Sequence, residues 1–138
     1  MIVHAGLIAR FVAGRWRGVL VEGPSGSGKS DLALRALSVG FRLISDDQTR
    51  IWVSGGKLYG RAPGPIAGQM EVRGLGILPF SHVDTAQIVL CTRPGEGERI
   101  PEDQVETYLG LCLPLVILPY LTSSAPSKLV LALQHLGA

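Results

Sequence analysis

The sequence has 138 residues, of which 46% are hydrophobic and 17% are charged, and its formal net charge is +2 at pH 7. A chain of this length forms one domain with a substantial core, and so few charged residues suggest that other subunits or a partner cover part of its surface. The sequence contains no basic run that would point to nucleic acid. The longest apolar run, residues 111–118, is far too short to span a bilayer. We therefore expect one domain over residues 1–138, with no nucleic-acid or membrane partner.

The cysteines and the N-terminus indicate a cytoplasmic protein. Cys91 and Cys112 lie inside apolar runs and lack the spacing of metal ligands. We therefore predict two buried free thiols in a reducing compartment. The first residues lack the charged start and long apolar core of a secretory signal, which agrees with this location.

The hydrophobic pattern predicts that strands and helices alternate in the first part of the chain. Residues 1–12 and the apolar run ending at Glu22 are typical of a β-hairpin. A helix is expected from Asp31 to a C-cap at Gly40. The next predicted strand, residues 41–45, follows a strand and a helix, so we expect it to pair in parallel with the strand before that helix.

Short apolar runs bounded by Gly or Pro predict further strands in the rest of the chain. These strands are residues 49–53, 57–61, 71–77 (a strand or an extended loop), 86–91 and 113–119. Residues 127–136 have the apolar spacing of a closing helix. The pattern as a whole predicts a single α/β domain with a mixed sheet and two helices.

One stretch between a predicted strand and a predicted helix matches the phosphate-loop pattern G-x-x-x-x-G-K-[ST]. Glycines let backbone N–H groups converge on an anion, and the helix N-terminus adds the positive end of its dipole. In such a loop Lys29 contacts the β- and γ-phosphates of a nucleotide and the Ser30 hydroxyl binds Mg²⁺. The alternative is a Gly- and Ser-rich turn before a helix. The predicted nucleotide-binding residues are Gly23, Pro24, Ser25, Gly26, Ser27, Gly28, Lys29 and Ser30.

Asp46 and Asp47 directly follow the predicted strand 41–45. P-loop enzymes carry an acidic residue at such a strand end. Because adjacent side chains there point to opposite sides, we expect two roles. One carboxylate would orient a metal ion or its water, and the other would accept a proton from a hydroxyl that attacks the γ-phosphate. A pair of turn-forming aspartates is the alternative.

Glu71 and Arg73 form the second charged candidate pair. They are two residues apart, so on an extended backbone their side chains face the same way. A carboxylate beside a guanidinium suits a site with one metal ligand and one group that stabilises phosphate charge. Gly74 and Gly76 indicate unusual backbone angles or a close approach, which favours function over a surface ion pair.

His4 and Arg99 are two isolated candidates. His4 lies on the first predicted strand, where a lone histidine is more often structural than catalytic. Arg99 follows a Gly-rich loop, a place where an arginine could neutralise phosphate charge. The alternative for Arg99 is an ordinary solvated side chain.

Taken together, these stretches resemble the catalytic domain of HPr kinase/phosphorylase, a family whose P-loop fold is related to that of phosphoenolpyruvate carboxykinase. Two aspartates followed by the sequence E-V-R-G-L-G-I at 71–77 are the most specific part of the resemblance. The matching segments are His4, 23–30, 42–47, 60–63, 71–77, 98–99 and 114–119.

The resemblance implies an ATP- and Mg²⁺-dependent kinase that phosphorylates a serine of an HPr-like phosphocarrier protein. Many members of the family also remove this phosphate by phosphorolysis. By resemblance Asp47 accepts the serine proton and Asp46 lies beside it. The family is hexameric, so the resemblance also implies a homo-oligomer.

The resemblance implies further roles in the same site. Ser30 and Glu71 match the Mg²⁺ ligands, and Lys29 matches the lysine that contacts phosphate. His4 and Arg99 match two further catalytic positions.

The segment after Pro119 departs from the family pattern. Relatives carry Gly-Arg-Asn there, a segment tied to dephosphorylation, whereas this chain has Tyr120-Leu-Thr-Ser-Ser124 with neither glycine nor arginine. We therefore expect phosphorolysis to be weak. The chain resembles a shortened form of the family, without the N-terminal domain and the C-terminal helix.

Two other classes of protein are compatible with a P-loop. A small-molecule kinase would usually carry an arginine-rich lid, and the sequence contains no such segment. A non-enzymatic nucleotide-binding regulator would not need Lys29, Asp47 and Glu71 together.

Overall fold

Strands dominate residues 1–137, the part of the chain that the computed structural model describes. Eleven strands and two α-helices lie in this range. The strands are β1 (Ile2–Val3), β2 (Ala5–Val12), β3 (Arg15–Glu22), β4 (Phe41–Ser45), β5 (Thr49–Ser54), β6 (Lys57–Arg61), β7 (Gln69–Val72), β8 (Gly76–Pro79), β9 (Thr85–Pro94), β10 (Gln104–Tyr108) and β11 (Leu111–Leu118). The helices are α1 (Lys29–Ala36) and α2 (Ala125–His135).

Nine of the described strands form one mixed sheet, in the order β1-β5-β6-β9-β3-β2-β4, with β11 also on β9 and β10 on β11. β9 divides this sheet, because its first part pairs with β6 and its last part with β11. β3, β9 and β11 run parallel to one another. Their carboxyl ends therefore lie at one edge, which is where α/β sheets usually bind ligands.

The predicted parallel pairing of β4 with β3 is wrong. β2 lies between them and is antiparallel to both, with Ile8 opposite Val19 on one side and Leu43 on the other. The cause is local: the turn at Ala13 and Gly14, both with positive φ, folds β2 directly onto β3. That edge of β3 is then occupied, so β4 takes the next position.

Two apolar clusters lie on opposite faces of the sheet. Adjacent residues of a strand belong to different clusters, as Leu7 and Ile8 show. Leu32 of α1 and Leu129 of α2 pack into the cluster that contains Ile8, so both helices cover the same face. Burial on both faces explains why the central strands are continuously hydrophobic.

Both predicted helices are present. α1 is followed by a short 3₁₀ turn that ends at Gly40, whose φ of 95° confirms the predicted C-cap. α2 begins at Ala125, two residues before the predicted start. In the described part of the chain no helix is long and apolar enough to cross a membrane.

The strand predictions are confirmed with three differences. Residues 1–12 do not form one strand, because a bend at His4 separates β1 from β2. Residues 71–77 contribute to two strands, β7 and β8, joined by a turn that contains Arg73. β10 was not predicted, because it is an edge strand with mostly exposed residues and no clear apolar alternation.

The two cysteines differ in environment. Cys91 is buried in β9, as predicted, and burial raises the pKa of its thiol. The prediction that Cys112 is buried is wrong, because this residue is exposed on β11. Cys112 pairs with Thr107 of the edge strand β10, whereas the pairing of β11 with β9 begins only at Leu115.

Candidate active site

Gly23 to Gly28 form a loop between β3 and α1, and Lys29 and Ser30 are the first two residues of α1, as the sequence pattern predicts. Gly23 has a φ of 140°, and a Cβ atom there would lie 2.5 Å from the Ser27 hydroxyl oxygen. Gly28 has a φ of 98°, and a Cβ atom there would lie 2.9 Å from the Leu121 side chain. The loop can close as tightly as it does only because both positions are glycine.

Lys29 folds back over this loop. Its ammonium nitrogen donates a 2.5 Å hydrogen bond to the carbonyl oxygen of Gly23 and lies 3.5 Å from Oδ1 of Asp47. The side chain is only 6% exposed. A nearly buried cation is thus held in the concave side of the loop, where a phosphate group could replace its present partners.

Ser27 supplies a second polar group inside the loop. Its hydroxyl oxygen is buried and has no hydrogen-bond partner among the described residues. A buried hydroxyl without a partner costs free energy, which a bound phosphate oxygen would recover. The loop is therefore suited to an anionic ligand.

Asp46 connects the loop to the rest of the site. Its carboxylate accepts a 2.6 Å hydrogen bond from the Ser30 hydroxyl through Oδ1 and a 3.1 Å hydrogen bond from the Glu71 N–H through Oδ2. Ser30 is the second residue of α1 and Glu71 lies on β7, so one carboxylate joins two elements that are far apart in sequence.

Asp47 lies in a strained turn. Its φ is 65°, and the Gln48 N–H donates a 2.7 Å hydrogen bond to the carbonyl oxygen of Asp46. A hydrogen bond between residues two apart, with positive φ at the central residue, defines a γ-turn that is rarely adopted. Ser45 also donates its hydroxyl to the Gln48 carbonyl oxygen and closes the turn. Such strain is concentrated at functional sites.

The γ-turn sends the two aspartates to different partners. Oδ1 of Asp47 lies 2.8 Å from Nε2 of His4 and 3.5 Å from the Lys29 ammonium. The side chains of His4 and Asp47 are each about 50% exposed. The structure thus brings His4, Lys29 and Asp47 together at an open edge. His4 reaches them from the bend between β1 and β2, not from a strand as expected.

Glu71 and Arg73 are not arranged as the sequence argument assumed. Glu71 lies on β7, but Arg73 lies in the turn that follows, so strand alternation does not place the two side chains on one face. Glu71 is hydrogen-bonded to Asp46 through its backbone N–H, and its side chain is exposed. The carboxylate that accepts a hydrogen bond from the Ser30 hydroxyl is that of Asp46.

Arg99 lies outside this group. It is exposed in the loop of residues 95–103, between β9 and β10. Gly95 anchors the start of this loop by a 3.0 Å hydrogen bond from its N–H to the carbonyl oxygen of Leu118. Within residues 1–137, no hydrogen bond connects Arg99 to His4, Lys29 or Asp47.

Sequence reasoning missed a polar network at the end of β3. Glu22 accepts hydrogen bonds of 3.1 and 2.9 Å from Arg93 and one of 2.8 Å from the Tyr108 hydroxyl, while Arg93 also reaches Glu106 at 2.5 Å. Hydrogen bonds to the two carboxylates raise the pKa of Arg93, and the Thr107 N–H and Arg93 lower the pKa of Glu106. The only sequence signal was a charged residue near the end of two apolar strands, Glu22 in β3 and Arg93 in β9.

Tyr120 completes the attachment of β3. Its hydroxyl donates to the carbonyl oxygen of Glu22 at 2.6 Å and to that of Thr92 at 2.8 Å. It thus links the ends of β3 and β9. Burial raises the pKa of Tyr120. Glu22, which immediately precedes the phosphate loop, is therefore hydrogen-bonded through both its side chain and its backbone carbonyl oxygen.

The described residues contain no group of three or more His, Cys, Asp and Glu side chains placed to hold a metal ion. P-loop sites need fewer protein ligands, because Mg²⁺ binds through one or two side chains and the phosphates of the substrate. The Ser30 hydroxyl and the Asp46 carboxylate are adjacent hard oxygen donors of this kind. The donor set fits Mg²⁺ held together with a nucleotide.

Comparison with known proteins shows the family of this chain. Residues 2–91 match the profile described as the HPr Serine kinase C-terminal domain. The chain belongs to this family. The match ends within β9, so it includes His4, the phosphate loop, both aspartates and Glu71.

Proteins named HPr kinase/phosphorylase are similar over part of their length. The protein from Mycoplasma genitalium is 44% identical over 96 residues, which cover 70% of this chain and 27% of the relative. The protein from Xylella fastidiosa (strain M12) is 38% identical over 120 residues, covering 74% of this chain and 38% of the relative. For the Clostridium beijerinckii protein, 48% identity over 61 residues covers 44% of this chain and 20% of the relative.

A solved structure supports the fold. The Hpr(Ser) kinase/phosphatase from Coxiella burnetii superimposes with a TM-score of 0.79 over 97% of this chain and 94% of that chain, at 22% identity. The α/β fold with its mixed sheet is therefore that of HPr kinase family structures. The curated relatives above are longer proteins, and the matched region spans 20% to 38% of them.

Proposed function

We propose that this chain is the catalytic domain of an ATP- and Mg²⁺-dependent kinase that phosphorylates a serine of an HPr-like phosphocarrier protein. The observation that carries the proposal is the meeting of Lys29, Asp47 and His4 at one open edge, with Asp47 2.8 Å from His4 and 3.5 Å from Lys29. A phosphate-binding cation and a carboxylate base lie there within reach of one reacting group.

The loop would hold the phosphates, and residues beside the loop would hold the metal ion. Lys29 and the N–H groups of the loop suit the β- and γ-phosphates, and the partnerless Ser27 hydroxyl is a further donor. Ser30 and Asp46 would hold Mg²⁺, with Glu71 as an additional candidate ligand. Bound there, Mg²⁺ would neutralise charge on the transferred phosphoryl group.

Asp47 would act as the base. The acceptor serine oxygen forms a bond to the γ-phosphorus, the bond from that phosphorus to the β,γ-bridging oxygen breaks, and ADP leaves. The serine proton passes to the Asp47 carboxylate. His4, hydrogen-bonded to Oδ1, would keep that carboxylate oriented, while Lys29 would stabilise the charge on the phosphoryl oxygens. Arg73 and Arg99 are candidates for additional phosphate contacts once the acceptor is bound.

An open base supports a macromolecular acceptor. Asp47 and His4 are half exposed, so a hydroxyl presented on the surface of another protein can reach them. For the reverse direction, inorganic phosphate would have to bind in place of the γ-phosphate. The segment 120–124 supplies hydroxyls but no cation for this purpose, so we propose that phosphorolysis is slow relative to the kinase reaction.

The test is a phosphorylation assay with the purified chain, γ-labelled ATP, Mg²⁺ and the HPr-like protein of the same organism. We expect label on the carrier as acid-stable phosphoserine, and no label on a carrier in which the acceptor serine is alanine. Adding inorganic phosphate to the phosphorylated carrier should release pyrophosphate slowly.

Two results would replace the proposal with another function. If a metabolite stimulates ATP turnover and the carrier does not, the protein is a small-molecule kinase. ATP binding without turnover in the presence of the carrier would identify a nucleotide-binding regulator. A subunit count by light scattering in the same buffer would test the homo-oligomer that the family suggests.

A further inference from the structure

Leu121 is an exposed leucine that lies against the phosphate loop. Its side chain is 74% exposed, yet its Cδ2 atom lies 2.9 Å from the position that a Cβ atom on Gly28 would take. Gly28 directly precedes Lys29, so the leucine covers the backbone of the loop itself. It therefore presents a hydrocarbon surface to solvent beside the predicted phosphate site.

The backbone on both sides of Leu121 is attached to elements that form the loop. Before it, the Tyr120 hydroxyl is anchored on the end of β3 through the Glu22 carbonyl oxygen at 2.6 Å. Arg35 of α1 donates to the Tyr120 carbonyl oxygen and, at 3.0 Å, to the Thr122 carbonyl oxygen. The position of Leu121 relative to the loop is thus set by contacts to both β3 and α1.

The side chains of Thr122 and Arg35 are already engaged. The Thr122 hydroxyl donates to the Pro119 carbonyl oxygen at 2.9 Å. The Arg35 guanidinium donates hydrogen bonds to the two carbonyl oxygens named above and, through Nε, to the Asp31 carboxylate at 2.9 Å. Leu121 offers an exposed aliphatic group beside Gly28, and such a group suits the apolar part of a ligand.

The position of Leu121 just after the sheet strand β11 indicates which ligand this is. It follows β11, whose carboxyl end lies beside those of β9 and β3, at the edge where α/β sheets bind ligands. The loop offers N–H groups, a hydroxyl and an ammonium, donors that the phosphate oxygens occupy when a nucleotide binds such a loop. The sugar and base of a nucleotide must therefore lie outside the loop, and Leu121 is an apolar group directly next to it.

We propose that Leu121 forms the apolar contact for the nucleoside part of bound ATP. The inference rests on the proposed function, because it assumes that the loop binds the phosphates of a nucleotide. An aliphatic side chain contacts the face of a base and not its hydrogen-bonding edge. ATP and GTP share that face, so Leu121 raises affinity for both and does not distinguish them.

The test compares nucleotides with inorganic tripolyphosphate, which carries the phosphates without a nucleoside. Mg²⁺ complexes of ATP, GTP and tripolyphosphate are titrated by calorimetry into the wild-type chain and Leu121→Ala. We expect the affinity for both nucleotides to fall about five- to tenfold, as loss of part of one leucine contact implies. The affinity for tripolyphosphate should stay within about twofold, because its contacts are with the loop.

Two more variants control the experiment. Leu121→Asn keeps a similar size and should produce the same selective loss, which separates apolar contact from bulk. Leu131→Ala removes another exposed leucine, 54% exposed on α2, and should change none of the affinities.

The possible failures are distinguishable. Unchanged nucleotide affinity in both Leu121 variants overturns the nucleoside contact and leaves the proposed function intact. An equal loss of tripolyphosphate affinity also overturns it, since Leu121 would then act by shaping the loop. A loss for ATP but not for GTP contradicts recognition of the shared face. If the wild-type chain binds neither nucleotide nor tripolyphosphate, both the contact and the proposed function are wrong.

Discussion

The Ser30 hydroxyl donates a 2.6 Å hydrogen bond to the Asp46 carboxylate, and so joins the segments that follow β3 and β4, which β2 separates in the sheet. The neighbouring carboxylate, Asp47, lies instead beside His4 and Lys29. The strained γ-turn directs these two adjacent side chains to different partners, Asp46 to Ser30 and Asp47 to His4 and Lys29. Different substitutions in this pair should therefore damage different steps.

Asp47→Asn removes the proposed base and keeps the size of the side chain. Positioned general bases contribute about 10² to 10⁴ fold, so we expect phosphotransfer to fall at least about 100 fold. ATP and Mg²⁺ affinity should remain near normal. Single-turnover transfer to the carrier, measured beside ATP titration, checks both expectations. An active Asp47→Asn with an inactive Asp46→Asn would reverse the assignment.

Asp46→Asn should act mainly through the metal. It removes a charged oxygen beside Ser30, and Mg²⁺ is a hard cation that prefers such ligands. We expect the Mg²⁺ concentration for half-maximal activity to rise several fold, with less effect on the rate at saturating metal than Asp47→Asn has. A Mg²⁺ titration of activity measures this, and an unchanged midpoint would argue against Asp46 as a ligand.

Glu71→Gln tests the remaining metal candidate. The hydrogen bond to Asp46 comes from the backbone N–H, so this substitution leaves that contact in place. If the Glu71 carboxylate also binds Mg²⁺, the metal requirement rises as it does for Asp46→Asn. If activity falls at an unchanged metal requirement, Glu71 positions another group, such as the acceptor.

Lys29→Ala should abolish transfer and weaken ATP binding. The ammonium is the cation in the concave side of the loop, and charge stabilisation of the phosphoryl group is the main catalytic term in this chemistry. Lys29→Met, which preserves the buried stem, controls for loss of packing. Turnover by either variant at the wild-type rate would show that the loop is not a working site.

The cysteines should differ in reactivity. Burial raises the pKa of Cys91, so little thiolate forms near neutral pH, whereas Cys112 is exposed. Alkylation of the native protein at pH 8 should label Cys112 and leave Cys91 unlabelled until denaturant is added. Mass spectrometry of tryptic peptides identifies the site, with Cys112→Ser as the control that should take up no label when folded.

Tyr120→Phe should lower stability and loosen the phosphate loop. The change leaves the carbonyl oxygens of Glu22 and Thr92 without their shared donor, at a cost of about 1–3 kcal/mol. Urea unfolding measures the loss. Tyr59→Phe is the matched control, since this tyrosine lies outside the site and stacks on Trp52. Equal losses in the two variants would contradict a special role for Tyr120.

Sequence reasoning succeeded wherever neighbouring residues decide the structure. The glycine pattern before Lys29 predicted the loop, Gly40 predicted the end of the first helical segment, and apolar runs bounded by Gly predicted the strands at 49–53 and 57–61. Each depends on turn chemistry or on the apolar period of a short stretch. The candidate site residues came from the same kind of information, with a resemblance to a known family added.

Tertiary structure alone decided what those residues touch. The sequence could not show that β2 separates β4 from β3, since strand order depends on which edge is already occupied. It could not show that Asp46 meets Ser30, or that Tyr120 and Arg35 hold Leu121 at the loop. These contacts join segments far apart in the chain. Their geometry follows from how the whole sheet and its helices pack, and local preferences carry no record of that packing.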